Sequence, residues 1–234
     1  MQKADAVLQK KKDDRGINIM NDEIIIEVNE VFKKYDDATV LDNVSLEIEK
    51  GKIYGLVGRN GSGKTVLMKC ICGLIKPTSG EVKVAGKTVG KDVDIPEDIG
   101  VIIETPGFIP NYSGFKNLKL LASVRNKISN EEIRKSMEIV GLDPKSRKHV
   151  GKYSLGMRQK LGIAQAIMEK PKILILDEPM NGLDNESVAV VRKILKEQAE
   201  NGATIILESH NREDIDVLCD KVYTMDHGVI ECER

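Results

Sequence analysis

The sequence predicts an α/β fold: a mostly parallel sheet around a phosphate-binding loop, with an antiparallel β-subdomain ahead of it and a helical subdomain inserted within it. Three observations carry this. Residues 58–65 read Gly-Arg-Asn-Gly-Ser-Gly-Lys-Thr, a glycine-rich loop between an apolar run at 52–57 and a helix-like stretch at 66–73. Short apolar runs at 99–103, 172–176 and 203–207 alternate with helical segments, as strands covered on both faces do. Between about 112 and 168 strand signals vanish and helix signals dominate.

Taken in order, residues 1–20 read as a charged tail, with Lys10, Lys11 and Lys12 followed by Asp13 and Asp14. Residues 21–234 read as a single domain, with the helical insertion at about 105–170. Residues 24–28 and 43–48 alternate apolar and polar side chains, the signature of antiparallel strands with one buried face. Residues 81–84 give another short strand, followed by a turn at Ala85, Gly86 and Lys87. The apolar run 99–103 is expected to be a core strand. Ser129 with Glu132 three residues on predicts a capped helix start, and Gly141 a helix stop. Residues 186–198 and 213–219 predict helices, and two short strands at 221–225 and 229–231 close the chain.

Composition narrows the function. A chain of 234 residues suits one α/β domain with room for an insertion. A net charge of −1 gives no basic field for nucleic acid, and 3% aromatics with no Trp leaves no base-stacking platform. No apolar run approaches the roughly 20 residues of a membrane span, and the first 16 residues lack the apolar core of a signal peptide. These features predict a cytoplasmic protein with no direct membrane insertion, peripheral on the membrane's inner face only through a partner. Of four cysteines, Cys70 and Cys72 stand two apart in a helix, on different faces. With Cys219 and Cys232 they read as reduced, small hydrophobes rather than a metal pair.

The motifs converge on nucleotide chemistry. Gly58, Gly61 and Gly63 let backbone N–H groups curl round phosphate oxygens, with Arg59, Asn60 and Ser62 completing the loop. Lys64 can reach the β- and γ-phosphates, and the Thr65 hydroxyl can ligate Mg²⁺. Asp177 ends an apolar run at the carboxyl edge of the sheet, where the loop also opens, and can hold Mg²⁺ opposite Thr65. Glu178 is placed to orient or deprotonate the water attacking the γ-phosphate. His210 follows a strand expected beside the loop, so its imidazole can contact the γ-phosphate and Glu178. His149 and His227 have no such setting.

These motifs, with Tyr-Ser-Leu-Gly-Met-Arg-Gln at 153–159, Gly-Leu-Asp at 182–184 and Ser209 before His210, occur in the order and spacing of an ATP-binding-cassette (ABC) nucleotide-binding domain. The resemblance covers the chain from about residue 24 to its end. It implies a P-loop NTPase (RecA-like) core that binds and hydrolyses ATP with Mg²⁺. Tyr35 resembles the aromatic that stacks on adenine, and Val40 the aliphatic residue beside it. Ser154, Leu155, Gly156 and Met157 resemble the signature loop that binds the γ-phosphate of ATP held by the other subunit, and Asp184 the residue that couples the two sites. A homodimer or paired cassette sandwiching ATP is therefore implied, together with a separate transmembrane permease.

Three departures refine the resemblance. The signature reads Leu-Gly-Met after Ser154 where Gly-Gly-Gln is commonest. Val66 stands where a hydroxyl residue usually contacts the α-phosphate. Glu104 stands where most members place Gln as an Mg²⁺ ligand, and a carboxylate can serve as an oxygen ligand with catalytic influence. Glu104 with this signature looks like the ATPase subunits of lantibiotic-immunity and bacitracin-resistance exporters, which implies export of a peptide antibiotic or similar amphipathic compound. The alternative is a soluble, non-transport ABC ATPase of the iron–sulfur assembly type, disfavoured by the same two features.

Overall fold

The computed structural model describes residues 24–36 and 38–233. The charged tail expected at 1–20 lies outside them. Two sheets organise the chain. The first is antiparallel, ordered β2-β1-β4-β5, from β1 (Ile24–Tyr35), β2 (Ala38–Glu49), β4 (Ser79–Val84) and β5 (Lys87–Thr88). The second is ordered β10-β9-β3-β8-β7-β6, from β3 (Ile53–Val57), β6 (Ile99–Ile102), β7 (Ile173–Asp177), β8 (Thr204–Glu208), β9 (Lys221–Asp226) and β10 (Val229–Cys232). Its strands β9, β3, β8, β7 and β6 run parallel, and β10 pairs antiparallel with β9.

β1 is more than twice as long as the alternating run at 24–28 predicts. Asn29 and Glu30 are both exposed, Glu30 takes a positive φ of 48°, and pairing to β4 slips between Asn29 and Phe32. Such a bulge breaks the period of two and hides the second half of the strand from a pattern search. β6 packs into both cores, as expected of a core strand, and stands at the edge of its sheet. Burial of both faces writes the same apolar run whether one or two neighbours supply hydrogen bonds.

Between β6 and β7 the chain forms α2 (Gly114–Arg125), α3 (Asn130–Ile139) and α4 (Leu155–Ile167). The Ser129 hydroxyl accepts from the Glu132 backbone N–H while the Glu132 carboxylate accepts from the Ser129 N–H, the capping box its spacing predicts. α1 (Lys64–Ile71) follows β3, α5 (Asn185–Glu200) joins β7 to β8, and α6 (Arg212–Leu218) precedes β9.

The parallel strands divide two cores between their faces. Ile173, Ile175 and Ile206 pack with α1 and the antiparallel sheet, together with Cys70 and Cys72. Leu174, Leu176, Ile205 and Leu207 pack with α2, α3, α4 and α5. Burial raises both thiols, Cys70 to about 11 and Cys72 to about 12, so they behave as inert hydrophobes. This packing fixes the carboxyl ends of β3, β8 and β7 side by side, with Leu56 opposite Glu208 and Glu208 opposite Asp177. Lys64, Asp177, Glu178 and Glu208 gather at that edge.

Candidate functional site

The loop after β3 turns tightly enough to exclude side chains. Gly58 has φ +147°, and a Cβ there would lie 2.1 Å from the Met225 carbonyl oxygen. The loop is closed by Gly228 N–H donating to the Ser62 carbonyl at 3.0 Å and Ser62 N–H donating to the Arg59 carbonyl at 3.2 Å. α1 starts at Gly63 with no side-chain cap and no acidic residue in its first turn. Its free N–H groups and dipole thus face the loop uncompensated, an arrangement that attracts an anion. The Ser62 hydroxyl oxygen is buried without a hydrogen-bond partner, as a group awaiting a ligand atom would be.

Lys64 is buried beneath the loop. Its ammonium donates to the carbonyls of Gly58 at 2.8 Å and Arg59 at 3.0 Å, and lies 3.4 Å from Glu208 Oε1. The Thr65 hydroxyl donates to Asp177 Oδ2 at 3.2 Å. One hydroxyl and one carboxylate, both hard oxygen donors beside an anion cradle, suit Mg²⁺. The Glu104 backbone N–H lies 3.5 Å from the same Asp177 oxygen, but its carboxylate pairs with Lys69 of α1 at 2.6 Å. The structure therefore brings the Glu104 backbone to the Asp177–Thr65 pair and sets its side chain on Lys69.

Glu178 sits at the turn after β7 in a left-handed conformation, φ 49°. Four bonds hold it there. Its N–H donates to the Glu208 carbonyl at 3.1 Å, its carbonyl accepts from Gln159 Nε2 at 3.0 Å and from the Asn181 N–H at 3.1 Å, and its Oε1 accepts from the His210 N–H at 2.7 Å. A non-glycine residue kept at positive φ by surrounding bonds is a backbone shaped for a task. His210 Nε2 stands 3.4 Å from Glu178 Oε1 and 3.8 Å from Glu208 Oε1.

Sequence reading misses Glu208 and Gln159. Glu208 is 3% exposed, and its Oε2 has no hydrogen-bond partner. Burial first, then the hydrogen bond with Asp177 and the charge of Glu178, push its carboxyl up to about 8. The available signal was a charged residue closing an otherwise apolar strand two positions before His210. Gln159 lies within the 153–159 motif, and its position on the buried face of α4 gives no hint of a backbone partner.

The remaining predicted residues fall elsewhere on the chain. Tyr35 ends β1 with its ring 46% exposed and the Lys33 ammonium 4.8 Å from its centroid. The Val40 carbonyl backs the loop, 2.7 Å from where a Cβ on Gly63 would lie. Ser154 caps α4 by accepting from the Met157 N–H at 3.2 Å, Leu155 is exposed, and Gly156 lies against the Gly182 carbonyl. Asp184 caps α5, accepting from the Ser187 N–H at 2.8 Å. Bonds from the Ser187 hydroxyl and backbone hold the Asp184 carboxyl below the ordinary aspartate value. Ser154, Gly156 and Asp184 thus contact Met157, Gly182 and Ser187, and not the phosphate loop of the same chain.

Residues 41–181 match the sequence profile of the ABC transporter family. The chain is 48% identical over 207 residues, 88% of its length and 95% of the relative's, to the uncharacterised ABC transporter ATP-binding protein YybJ of Bacillus subtilis. It is 43% identical over 208 residues, 88% of its length and 68% of the relative's, to the bacitracin transport ATP-binding protein BcrA of Enterococcus faecalis. It is 36% identical over 210 residues, 90% of each chain, to the lantibiotic transport ATP-binding protein SrtF of Streptococcus pyogenes. A solved ATP-binding subunit of an ABC transporter superposes with TM-score 0.80 at 26% identity, over 89% of this chain and 90% of that one. The cassette MJ0796, a dimer bound to ADP and Pi after hydrolysis, shares the fold with TM-score 0.80 at 22% identity, over 90% of this chain and 99% of that one.

Proposed function

The chain belongs to the ABC transporter family as an ATP-hydrolysing subunit, and we propose that it dimerises around two ATP to drive a separate membrane permease that exports a peptide antibiotic or similar amphipathic compound. The observation that carries the catalytic half is the strained Glu178, fixed by bonds from Gln159 and His210 beside the Lys64 loop. ATP would lie with its adenine on Tyr35 beside Val40 and its phosphates on the N–H groups between Gly58 and Val66. Mg²⁺, held by Thr65 and Asp177, would neutralise phosphate charge, and Glu104 would have to leave Lys69 to join it. Glu178 takes a proton from water as the water oxygen bonds to the γ-phosphorus. The bond to the bridging oxygen breaks, leaving ADP and inorganic phosphate. His210 orients Glu178 and the γ-phosphate.

The partner chain would complete each site. Ser154, Leu155, Gly156 and Met157 would reach the γ-phosphate held by the other copy, with Asp184 linking the two sites. Support comes from the exposed Leu155 at the start of α4, where the helix N-terminus favours an anion. Among the described residues no helix is long and apolar enough to cross a membrane, so the path must come from another chain. Exposed Ile109, Leu120, Leu121 and Val124 on the insertion support a permease contact there. The cargo class rests on the bacitracin and lantibiotic relatives. Glu178→Gln should cut ATP turnover about 100-fold or more while ATP still binds and drives dimerisation, read by light scattering. Full turnover in that variant would remove Glu178 from its role.

A further inference from the structure

Lys64 is engaged before any nucleotide arrives. It donates two hydrogen bonds to the loop's own carbonyls, Gly58 at 2.8 Å and Arg59 at 3.0 Å, and its ammonium lies 3.4 Å from Glu208 Oε1 as an ion pair. Both partners are deeply buried, with side-chain exposures of 6% for Lys64 and 4% for Glu208. Glu208 reaches this place because β8 lies between β3, which launches the loop, and β7, which carries Asp177. A third carboxyl in a phosphate site, beside Asp177 and Glu178, occupies the Lys64 contact that a polyanion would take. Folding alone does not require it, since the four residues preceding it in β8 are buried too and need no charge.

We propose that Glu208 is a positioning residue that stands in for a phosphate oxygen in the nucleotide-free cassette, holding Lys64 and its loop in the phosphate-ready shape until ATP displaces it. The inference rests on the ATP-site reading above. It follows that Glu208 weakens ATP binding, because the γ-phosphate must take Lys64 from it and leave a buried carboxyl with one partner fewer. ADP, lacking that phosphate, competes less.

The test measures dissociation constants for ATP and ADP by calorimetry, with Mg²⁺ chelated to prevent turnover, on the whole protein and on Glu208→Leu. Loss of the carboxyl should tighten ATP binding about tenfold, the equivalent of one charge-assisted hydrogen bond, with a smaller change for ADP. The nucleotide-free variant should melt lower, and ATP should restore more of its melting temperature than it adds to the original protein. A residue that merely supports the fold would lower melting in both states and leave the ATP-to-ADP ratio alone. An unchanged or weakened ATP constant in a folded Glu208→Leu protein overturns the proposal. If that variant does not fold, Glu208→Gln is read in its place: a tightened ATP-to-ADP ratio supports the proposal and an unchanged ratio overturns it. Failure of the original protein to bind ATP would instead overturn the ATP-site reading.

Discussion

At the scale of single residues, the site is a contest among carboxylates for few cations. Asp177 and Glu178 crowd Glu208, which pairs with the buried Lys64 ammonium, and like charges so close cannot all ionise cheaply. Burial first, and then these neighbours, raise the Glu208 carboxyl from an ordinary 4.5 to about 8. The folded protein therefore holds a proton that the unfolded chain releases across that window. Stability from this group is complete below about 4.5 and is lost as pH rises toward 8. Melting temperatures of the nucleotide-free protein between those limits should fall with pH, and Glu208→Leu should flatten that slope; an equal slope in both proteins would contradict the assignment. The motif residues are legible in the sequence because glycine spacing and a strand-end Asp-Glu pair are local features. The pairings of Lys64 with Glu208 and of Gln159 with Glu178 join residues 144 and 19 positions apart, and only the sheet order brings them together.

Among the elements, helix caps do double duty. Asp184 and Ser154, expected from the resemblance to serve ATP across a dimer, each satisfy the first turn of their own helix. Asp184→Ala should lower the urea midpoint of the nucleotide-free monomer, a loss that exists without any partner chain. No loss there would mean that the cap contributes nothing. Close packing also constrains the edge strand. A Cβ on Gly100 of β6 would lie 2.1 Å from the Ala166 carbonyl of α4. Gly100→Ala should therefore destabilise by about 1–3 kcal/mol, and wild-type stability would show that α4 shifts freely. Most elements are legible in the sequence: the capping box at Ser129 and the apolar runs of β3, β7 and β8 announce themselves. The bulged second half of β1 and the edge position of β6 are not, because a bulge erases periodicity and an apolar run does not count its neighbours.

For the whole molecule, the sheet edge carries an ATPase site that the proposed partner cassette would complete. The residues expected to contact ATP in trans, 154–157 and 184, sit at the starts of α4 and α5. The exposed apolar side chains of α2 lie on the inserted helices, on a chain with no spanning helix among its described residues. An engine of this kind performs work only when something converts closure of two cassettes into motion of a membrane path. That conversion is the central claim, and one measurement reaches it directly. The Glu178→Gln variant is recovered with ATP from native membranes, and the proteins that accompany it are identified by mass spectrometry. The account predicts ATP-dependent recovery of a polytopic membrane protein. Recovery of soluble partners alone, with the variant absent from the membrane fraction, would contradict it and favour a soluble ABC ATPase.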